Sequence, residues 1–151
     1  KLNIVEHAPR TEYQKVLEPL AAKLAQESPF KEVFEKYDTE TVIDSYYEYI
    51  VKVDYPGLPD HPGYTIANRQ MEGFGGMLSF RIKGTKEDTL RVVRRVKLLR
   101  NATSLGGVES LIEHRQTIEG SGSPTPPNLL RLSTGLEAAE DLIEDLVQAL
   151  G

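Results

Sequence analysis

The sequence has 151 residues, of which 39% are hydrophobic and 27% charged, a composition typical of one ordinary globular domain with a single core. Its formal net charge of -5 disfavours general nucleic-acid binding, which needs a basic surface to displace counterions. Cysteine is absent, which excludes disulfides, thiolate metal sites and cysteine nucleophiles. Because a chain without cysteine fits a reducing compartment, we expect a cytoplasmic location.

The first third of the chain predicts an arm, a helix and an irregular segment. Apolar residues recur at helical spacing from Thr11 to about Gln26, although the interior Pro19 should kink the helix or move its start. Residues 30–49 are acidic and rich in tyrosine, which favours core packing over a surface for another chain. The sequence begins with lysine and lacks a signal-peptide pattern, so we expect a fragment, a processed product or an excised domain.

The middle of the chain predicts two strands and a short helix. Residues 49–55 alternate in polarity and end at a Pro-Gly turn signal, residues 64–71 predict a helix, and residues 77–82 a second strand. Residues 73–76 contain three glycines, which indicates positive dihedrals or a close approach of the backbone. No lysine follows them and they lead into a strand, so they are not a phosphate loop.

The three histidines are not candidate ligands. His61 lies in a proline-rich loop and has no second histidine or carboxylate at ligand spacing. His7 and His114 are equally isolated in the sequence. We therefore interpret none of them as a metal ligand or general acid.

Two more helices are expected in the second half of the chain. Thr85 has an acid three residues later, which predicts an N-cap and a helix that extends to Leu99. Thr134 and Glu137 predict a second capping box before an amphipathic last helix. Residues 120–128 predict an exposed loop. The basic residues near the first of these helices favour a solvated face over a phosphate site: Arg91, Arg94, Arg95, Lys97 and Arg100.

Residues 129–137 read Leu-Leu-Arg-Leu-Ser-Thr-Gly-Leu-Glu and place one arginine in a short apolar strand. The charge of Arg131 cannot be buried without an anionic partner. A guanidinium grips a carboxylate with two parallel bonds, so Arg131 is a candidate carboxylate clamp. The residues alone leave a second interpretation open, an arginine on the wet face of an edge strand, which is the commoner situation for arginine.

Together the predicted elements indicate an α/β (α+β) domain. Three or four short strands alternate with helices, so we expect a small mixed or antiparallel sheet with helices on one side. No catalytic pair, metal cluster or cofactor loop is complete in the sequence. The glycine pair at 106–107 follows a serine closely, which suggests a tight loop at the edge of a site or only a turn.

Four motifs occur in a characteristic order. Residues 55–58 read Tyr-Pro-Gly-Leu, with His-Pro at 61–62, and residues 70–71 and 73–80 read Gln-Met and Gly-Phe-Gly-Gly-Met-Leu-Ser-Phe. Residues 104–111 read Ser-Leu-Gly-Gly-Val-Glu-Ser-Leu, and Arg-Leu-Ser at 131–133 precedes Gly-Leu-Glu at 135–137. Together they resemble the C-terminal domain of the Cys/Met-metabolism pyridoxal-phosphate (PLP) enzymes: cystathionine γ-synthase, cystathionine γ- and β-lyase and methionine γ-lyase.

The resemblance implies the C-terminal small domain of a fold-type I PLP enzyme. This domain would span residues 54–151, and residues 1–53 would form an N-terminal arm, the helix and an insertion at 28–45. In that family the arginine of the Arg-Leu-Ser motif binds the substrate α-carboxylate, so Arg131 inherits that role, with Ser104 beside it. Thr103 matches a variable position near the distal end of the substrate, where some γ-lyases carry glutamate. Threonine offers no charge to a distal ammonium, which weakly disfavours a γ-lyase.

The resemblance also implies machinery that this sequence does not contain. The PLP-binding domain of the family lies upstream, with the Schiff-base lysine, an aspartate facing the pyridine nitrogen and a stacked aromatic ring. Nothing in residues 1–53 resembles it, so we expect no covalent cofactor, no catalytic residue and no catalysis by this chain alone.

The partners follow from the same resemblance. They are the upstream PLP domain, an amino-acid substrate such as a homoserine ester or cystathionine, and further copies in a dimer or tetramer, with neither nucleic acid nor membrane. The alternative is a non-catalytic interaction or regulatory module derived from the family, with the tyrosine-rich insertion as its contact surface.

Overall fold

The computed structural model describes residues 49–104 and 106–151. The helix expected at 11–26, the tyrosine-rich segment up to residue 48 and the insertion at 28–45 lie outside the described residues. Among the residues described, no helix combines the length and apolar character that a bilayer-spanning segment requires.

The described residues form five strands and four helices in chain order. They are β1 (Ile50–Asp54), α1 (Tyr64–Gln70), β2 (Met77–Ile82), α2 (Lys86–Arg95), β3 (Arg100–Asn101), β4 (Leu111–His114), α3 (Arg115–Glu119), β5 (Leu129–Ser133) and α4 (Ala139–Leu150). The predictions of β1, α1 and β2 are confirmed to within two residues, and the apolar strand predicted around Arg131 is β5.

The strands form one mixed sheet in the order β1-β2-β5-β4-β3. The neighbours β1 and β2, β2 and β5, and β5 and β4 are antiparallel, whereas β3 is parallel to β4. The small mixed sheet is therefore confirmed. β3 consists of two residues, too few to produce a periodic pattern in the sequence.

One face of this sheet is apolar and carries the core. Its fully buried side chains come from the three central strands: Leu78, Phe80, Ile82, Ile112, Leu130 and Leu132. The same core includes α2 through Val92 and Val93, and α4 through Leu142, Ile143 and Leu146. These two helices pack on the apolar face, which confirms the prediction of helices on one side of the sheet.

The opposite face is polar because side chains alternate along each strand. We call it the polar face and define it by Ser79, Arg81, Glu113, Arg131 and Ser133. In the strand register, Arg131 pairs with Ser79 on one side and with Glu113 on the other. The antiparallel pairing thus sets three polar side chains in a row across β2, β5 and β4.

Two glycine-containing motifs pack against each other beside the sheet. A Cβ atom at Gly57 would lie 2.5 Å from Cε1 of Tyr55 and 2.9 Å from Cδ2 of Phe74. The rings of Tyr55 and Phe74 meet edge to face. The ring of Tyr64 stacks on that of Phe74, with the two ring centroids 5.8 Å apart. Gly75 has a φ of 79°, which confirms the predicted positive dihedral.

The first predicted helix cap is confirmed, but the helix ends earlier than expected. The Thr85 hydroxyl accepts a bond from the Asp88 backbone N–H at 3.3 Å, and the Asp88 carboxylate accepts one from the Thr85 N–H at 2.7 Å. Helix α2 stops at Arg95 because the backbone N–H groups from Lys97 onward bond to a side chain instead of to helix carbonyls. Asp145 of α4 accepts bonds from the N–H groups of Lys97, Leu98 and Leu99 at 2.7, 2.9 and 2.8 Å.

The second predicted capping box is wrong. Helix α4 begins at Ala139, and its N-cap Ala138 has no side-chain cap bond. The Thr134 hydroxyl instead donates to the carbonyl of Gly76 at 3.3 Å, and the Glu137 carboxylate accepts bonds from Ser110. In a capping box these two side chains would bond to the first turn of the helix. Here they bond to other loops instead, Thr134 to Gly76 and Glu137 to Ser110.

The basic segment is a solvated face, as predicted. Its side chains are exposed, and Arg91 and Arg94 form ion pairs with Asp88 and Glu87 of the same helix at 2.7 and 2.9 Å. Such exposed pairs contribute little to stability.

His114 has a structural role that the sequence did not indicate. Its ring is buried in β4, and its Nδ1 and Nε2 atoms lie 2.6 Å from Thr117 Oγ1 and 2.8 Å from the carbonyl of Pro127. Because a carbonyl only accepts, Nε2 carries a proton. His114 therefore fastens the predicted loop at 120–128 to the sheet.

Candidate functional site

Arg131 lies on the central strand of the sheet, in the middle of the polar face. The edge-strand interpretation is therefore wrong, since β5 has β2 on one side and β4 on the other. The Arg131 side chain is 25% exposed, so most of it is withdrawn from water while part of it remains at the surface. A charge in this position requires an anionic partner.

That partner is Glu113 on β4. Its Oε1 atom lies 2.7 Å from Nη2 of Arg131, and its side chain is only 2% exposed. We did not identify Glu113 from the sequence, because the pairing of β4 with β5 brings together residues 18 positions apart. The available signal was a carboxylate inside the otherwise buried strand Leu111–His114.

The Glu113 carboxylate has two further partners. The Thr103 hydroxyl donates to Oε2 at 2.7 Å, and Nη1 of Arg115 lies 3.0 Å from Oε1. Both carboxylate oxygens are thus engaged, and Thr103 is joined to Arg131 through a single buried side chain. Arg115 also pairs with Glu119 at 2.6 Å, and the hydrogen bonds that Arg115 donates to Glu113 and Glu119 raise the pKa of its guanidinium.

Glu119 forms the outer end of this chain of charges. Hydrogen bonds from Ser123, Thr125 and Arg115 lower the pKa of the Glu119 carboxyl to about 2, so it is ionised at neutral pH. The four side chains of Arg131, Glu113, Arg115 and Glu119 alternate in sign and sum to zero charge. A carboxylate ligand at Arg131 would add one negative charge to a neutral cluster.

Ser104 is connected to the other end of the Arg-Leu-Ser motif. The hydroxyls of Ser104 and Ser133 are hydrogen-bonded at 3.0 Å, and Ser133 shares the polar face with Arg131. The structure thus gathers the three residues predicted for the site, Arg131, Ser104 and Thr103, around β5. Their roles toward a ligand stay predictions.

Two loops beside the site are fixed to each other by a buried network. The Ser110 hydroxyl, which is fully buried, donates to the Glu137 carboxylate at 2.6 Å and accepts a bond from the Gly135 N–H at 2.8 Å. A Cβ atom at Gly135 would lie 2.0 Å from the carbonyl oxygen of Val108. The loop before β4 and the loop after β5 can approach this closely only because residue 135 is glycine.

Arg131 retains donors for a ligand. Among the described residues, Glu113 is its one ion-pair partner, and no hydrogen bond engages its remaining N–H groups. A guanidinium carries five N–H donors in a planar fork, which matches the two oxygens of a carboxylate. The arrangement can therefore bind a planar anion from the exposed side of the sheet.

The described residues do not form a covalent site for the cofactor that the motifs imply. Lys52 on β1 is the only lysine in any strand of the described ranges, and its ammonium is ion-paired with Asp54. Strand β2 separates it from β5. The polar face thus offers an arginine for an anion, and no lysine is among the residues that define it. Within the same residues, no group of three or more His, Asp or Glu side chains could hold a metal ion.

Comparisons with known proteins agree with this fold. The chain is 47% identical over 107 residues to the cystathionine γ-synthase of Mycobacterium bovis, and 43% identical over 109 residues to the cystathionine β-lyase of Coxiella burnetii. These matches cover 68% and 67% of this chain, which spans 28% of the length of either relative.

A solved structure extends the comparison. The cystathionine γ-synthase of Xanthomonas oryzae pv. oryzae in complex with cystathionine is 31% identical, with a TM-score of 0.71. The match covers 93% of this chain and 33% of that one. The family described as Cys/Met metabolism PLP-dependent enzyme matches residues 43–151. The chain therefore belongs to the Cys/Met metabolism PLP-dependent enzyme family.

Proposed function

We propose that this chain is the C-terminal, substrate-binding domain of a PLP-dependent enzyme of the cystathionine γ-synthase type. In this proposal Arg131 binds the α-carboxylate of the amino-acid substrate. The observation that carries it is the position of Arg131: partly exposed on the central strand, fixed on one side by a buried carboxylate, with further donors unused. The motifs that led to Arg131 belong to the family that the comparisons identify.

Arg131 would contribute by orientation. Two parallel bonds to a carboxylate fix both the position and the plane of the substrate, so that the bond to be broken is held in one direction. Ser104 would lie beside the carboxylate, since its hydroxyl reaches Ser133 on the same face. The Thr103 hydroxyl already donates to Glu113, and threonine carries no charge. The distal end of a substrate would therefore meet a neutral side chain at residue 103.

The rest of the enzyme is part of the proposal. PLP, which would supply the electron sink for chemistry at the α-carbon, and its lysine would belong to an upstream domain. Residues 54–151 would be the C-terminal domain, and residues 1–53 would lead into it. The reaction would be a β- or γ-replacement or elimination on a sulfur amino acid or a homoserine ester. We expect a cytoplasmic homo-oligomer.

The test replaces Arg131 in the full-length enzyme that contains this chain. With O-acetylhomoserine as substrate, and cystathionine as the alternative, Arg131→Ala should raise KM strongly because the bidentate contact is lost. Removing one partner of such a pair costs about 2–5 kcal/mol, which corresponds to a change of at least about 30-fold. The cofactor absorbance should stay the same.

The control is Arg94→Ala, which removes an arginine whose side chain is 64% exposed on α2. It should leave KM within about twofold of wild type, as expected for a surface substitution. An unchanged KM in Arg131→Ala would contradict the clamp.

A further inference from the structure

We propose that Glu113 is the positioning residue of the carboxylate clamp: it fixes the guanidinium of Arg131 and connects it to Thr103. This inference rests on the proposed function of Arg131. Glu113 touches no ligand in this account and acts only through its neighbours.

Glu113 is more deeply buried than the arginine with which it pairs. Its side chain is 2% exposed, whereas Arg131 on the neighbouring strand is 25% exposed. A buried carboxylate persists only if its charge is compensated, and here Arg131 and Arg115 approach Oε1 at 2.7 and 3.0 Å. Because Glu113 occupies one side of the guanidinium, a ligand would approach Arg131 from another side.

The contacts of Glu113 keep its carboxylate directed at Arg131. Its Oε1 atom is held by two guanidinium groups, and its Oε2 atom accepts the Thr103 hydroxyl at 2.7 Å. Its backbone is fixed as well, since Glu113 pairs with Arg131 in the register of β4 and β5. A carboxylate with both oxygens engaged restricts the rotation of an arginine better than solvent does, which reduces the entropy lost when a ligand binds.

Thr103 is linked to Arg131 through Glu113. Its hydroxyl bonds to the same carboxylate that holds Arg131, so a change at residue 103 reaches the clamp through Glu113. Thr103→Val keeps the shape of the side chain and removes the donor. We therefore expect residue 103 to affect how tightly the substrate carboxylate is held, in addition to any contact at the distal end of the substrate.

The experiment is a double-mutant cycle in the full-length enzyme, with O-acetylhomoserine as substrate. Glu113→Gln keeps the size of the side chain and removes its charge, so Arg131 is less well oriented. We expect KM to rise on the order of tenfold, more than kcat falls. In the Arg131→Ala background the same substitution should leave KM unchanged, because Glu113 would have nothing left to position.

The matched control is Glu87→Gln. Glu87 pairs with Arg94 on the exposed side of α2, at 2.9 Å, and is a partner of neither Arg131 nor Arg115, so this variant makes the same charge change without loosening the clamp. It should leave KM near the wild-type value. Thr103→Val supplies a second test if Glu113→Gln does not fold, and it should raise KM a few-fold in wild type but not in Arg131→Ala.

Three results would overturn the inference. The first is an equal rise of KM from Glu113→Gln with and without Arg131, which would indicate a general structural effect. The second is a fall in KM, since Glu113 would then compete with the substrate for Arg131. The third applies if Glu113→Gln does not fold: a Thr103→Val enzyme with an unchanged KM. If Arg131→Ala itself leaves KM unchanged, the proposed function fails, and this outcome is distinct from the other three.

Discussion

The carboxylate of Asp145 ends helix α2 and holds the start of the following segment, so its removal should destabilise the fold. The side chain is buried on α4 and accepts three consecutive backbone N–H bonds, from Lys97, Leu98 and Leu99. Oδ1 receives the first bond, and Oδ2 receives the other two. Asp145→Asn keeps the size of the group but replaces one of these oxygens with an NH2 donor.

The structure sets the magnitude of the effect. The amide should keep its oxygen toward Leu98 and Leu99, since the Leu99 bond is buried, and turn its NH2 toward the Lys97 N–H. The bond from the Lys97 N–H to a charged group, worth about 1.5–3 kcal/mol, is then lost together with the longer bond that the Gln148 side-chain amide donates to Oδ1 at 3.1 Å, and the bonds from Leu98 and Leu99 lose their ionic character. We expect the free energy of unfolding to fall by about 3 kcal/mol.

Urea unfolding followed by circular dichroism measures this change. With an m-value of about 2 kcal/mol/M, the midpoint should fall by about 1.5 M while m stays the same. The control is Asp141→Asn, which makes the same substitution at an exposed position in the first turn of α4 and should cost about 0.5 kcal/mol through the helix dipole. A loss in Asp145→Asn no larger than in this control would refute the reasoning.

Two further predictions concern the loops beside the site. Gly135→Ala should lower the free energy of unfolding by about 3 kcal/mol in urea, because its Cβ would meet the Val108 carbonyl at 2.0 Å, whereas Gly122→Ala meets no atom within 4 Å and should cost little. The Glu137 carboxyl is partly buried, which raises its pKa, but bonds from Ser110 outweigh this and lower the pKa below 4.5. The ionised Glu137 carboxylate therefore stabilises the fold fully above pH 4.5, and this contribution disappears as the pH falls through the lowered pKa. The difference in free energy of unfolding between wild type and Ser110→Ala, measured in urea, should therefore become smaller in acid. A difference independent of pH would contradict this.

Local patterns were enough to predict much of the fold. Alternating polarity identified β2, and the leucines on both sides of Arg131 indicated β5; each strand has one face in the core and one on the polar face. Thr85 and Asp88 identified the start of α2, because a capping box depends only on residues three positions apart. The motifs then located Arg131, whose residue type alone favoured an exposed edge.

Features that depend on distant contacts could not be predicted. All four residues of β4 are buried, so the strand has no alternation of buried and exposed side chains. Nothing in its sequence therefore showed that Glu113 lies on the polar face. The pair Thr134 and Glu137 has the sequence of a capping box, but Gly76 and Ser110 offer better partners once the sheet forms. The early end of α2 depends on Asp145, a residue about 50 positions further along the chain.

The measurement that tests the central claim most directly is the recognition of the carboxylate itself. It compares kcat/KM for O-acetylhomoserine with that for its α-carboxamide, in the full-length wild-type enzyme and in Arg131→Ala. If Arg131 binds the carboxylate, wild type should prefer the acid by about 100-fold or more, and the variant should lose nearly all of this preference. An equal preference in both enzymes would show that another residue recognises the carboxylate and would contradict the account.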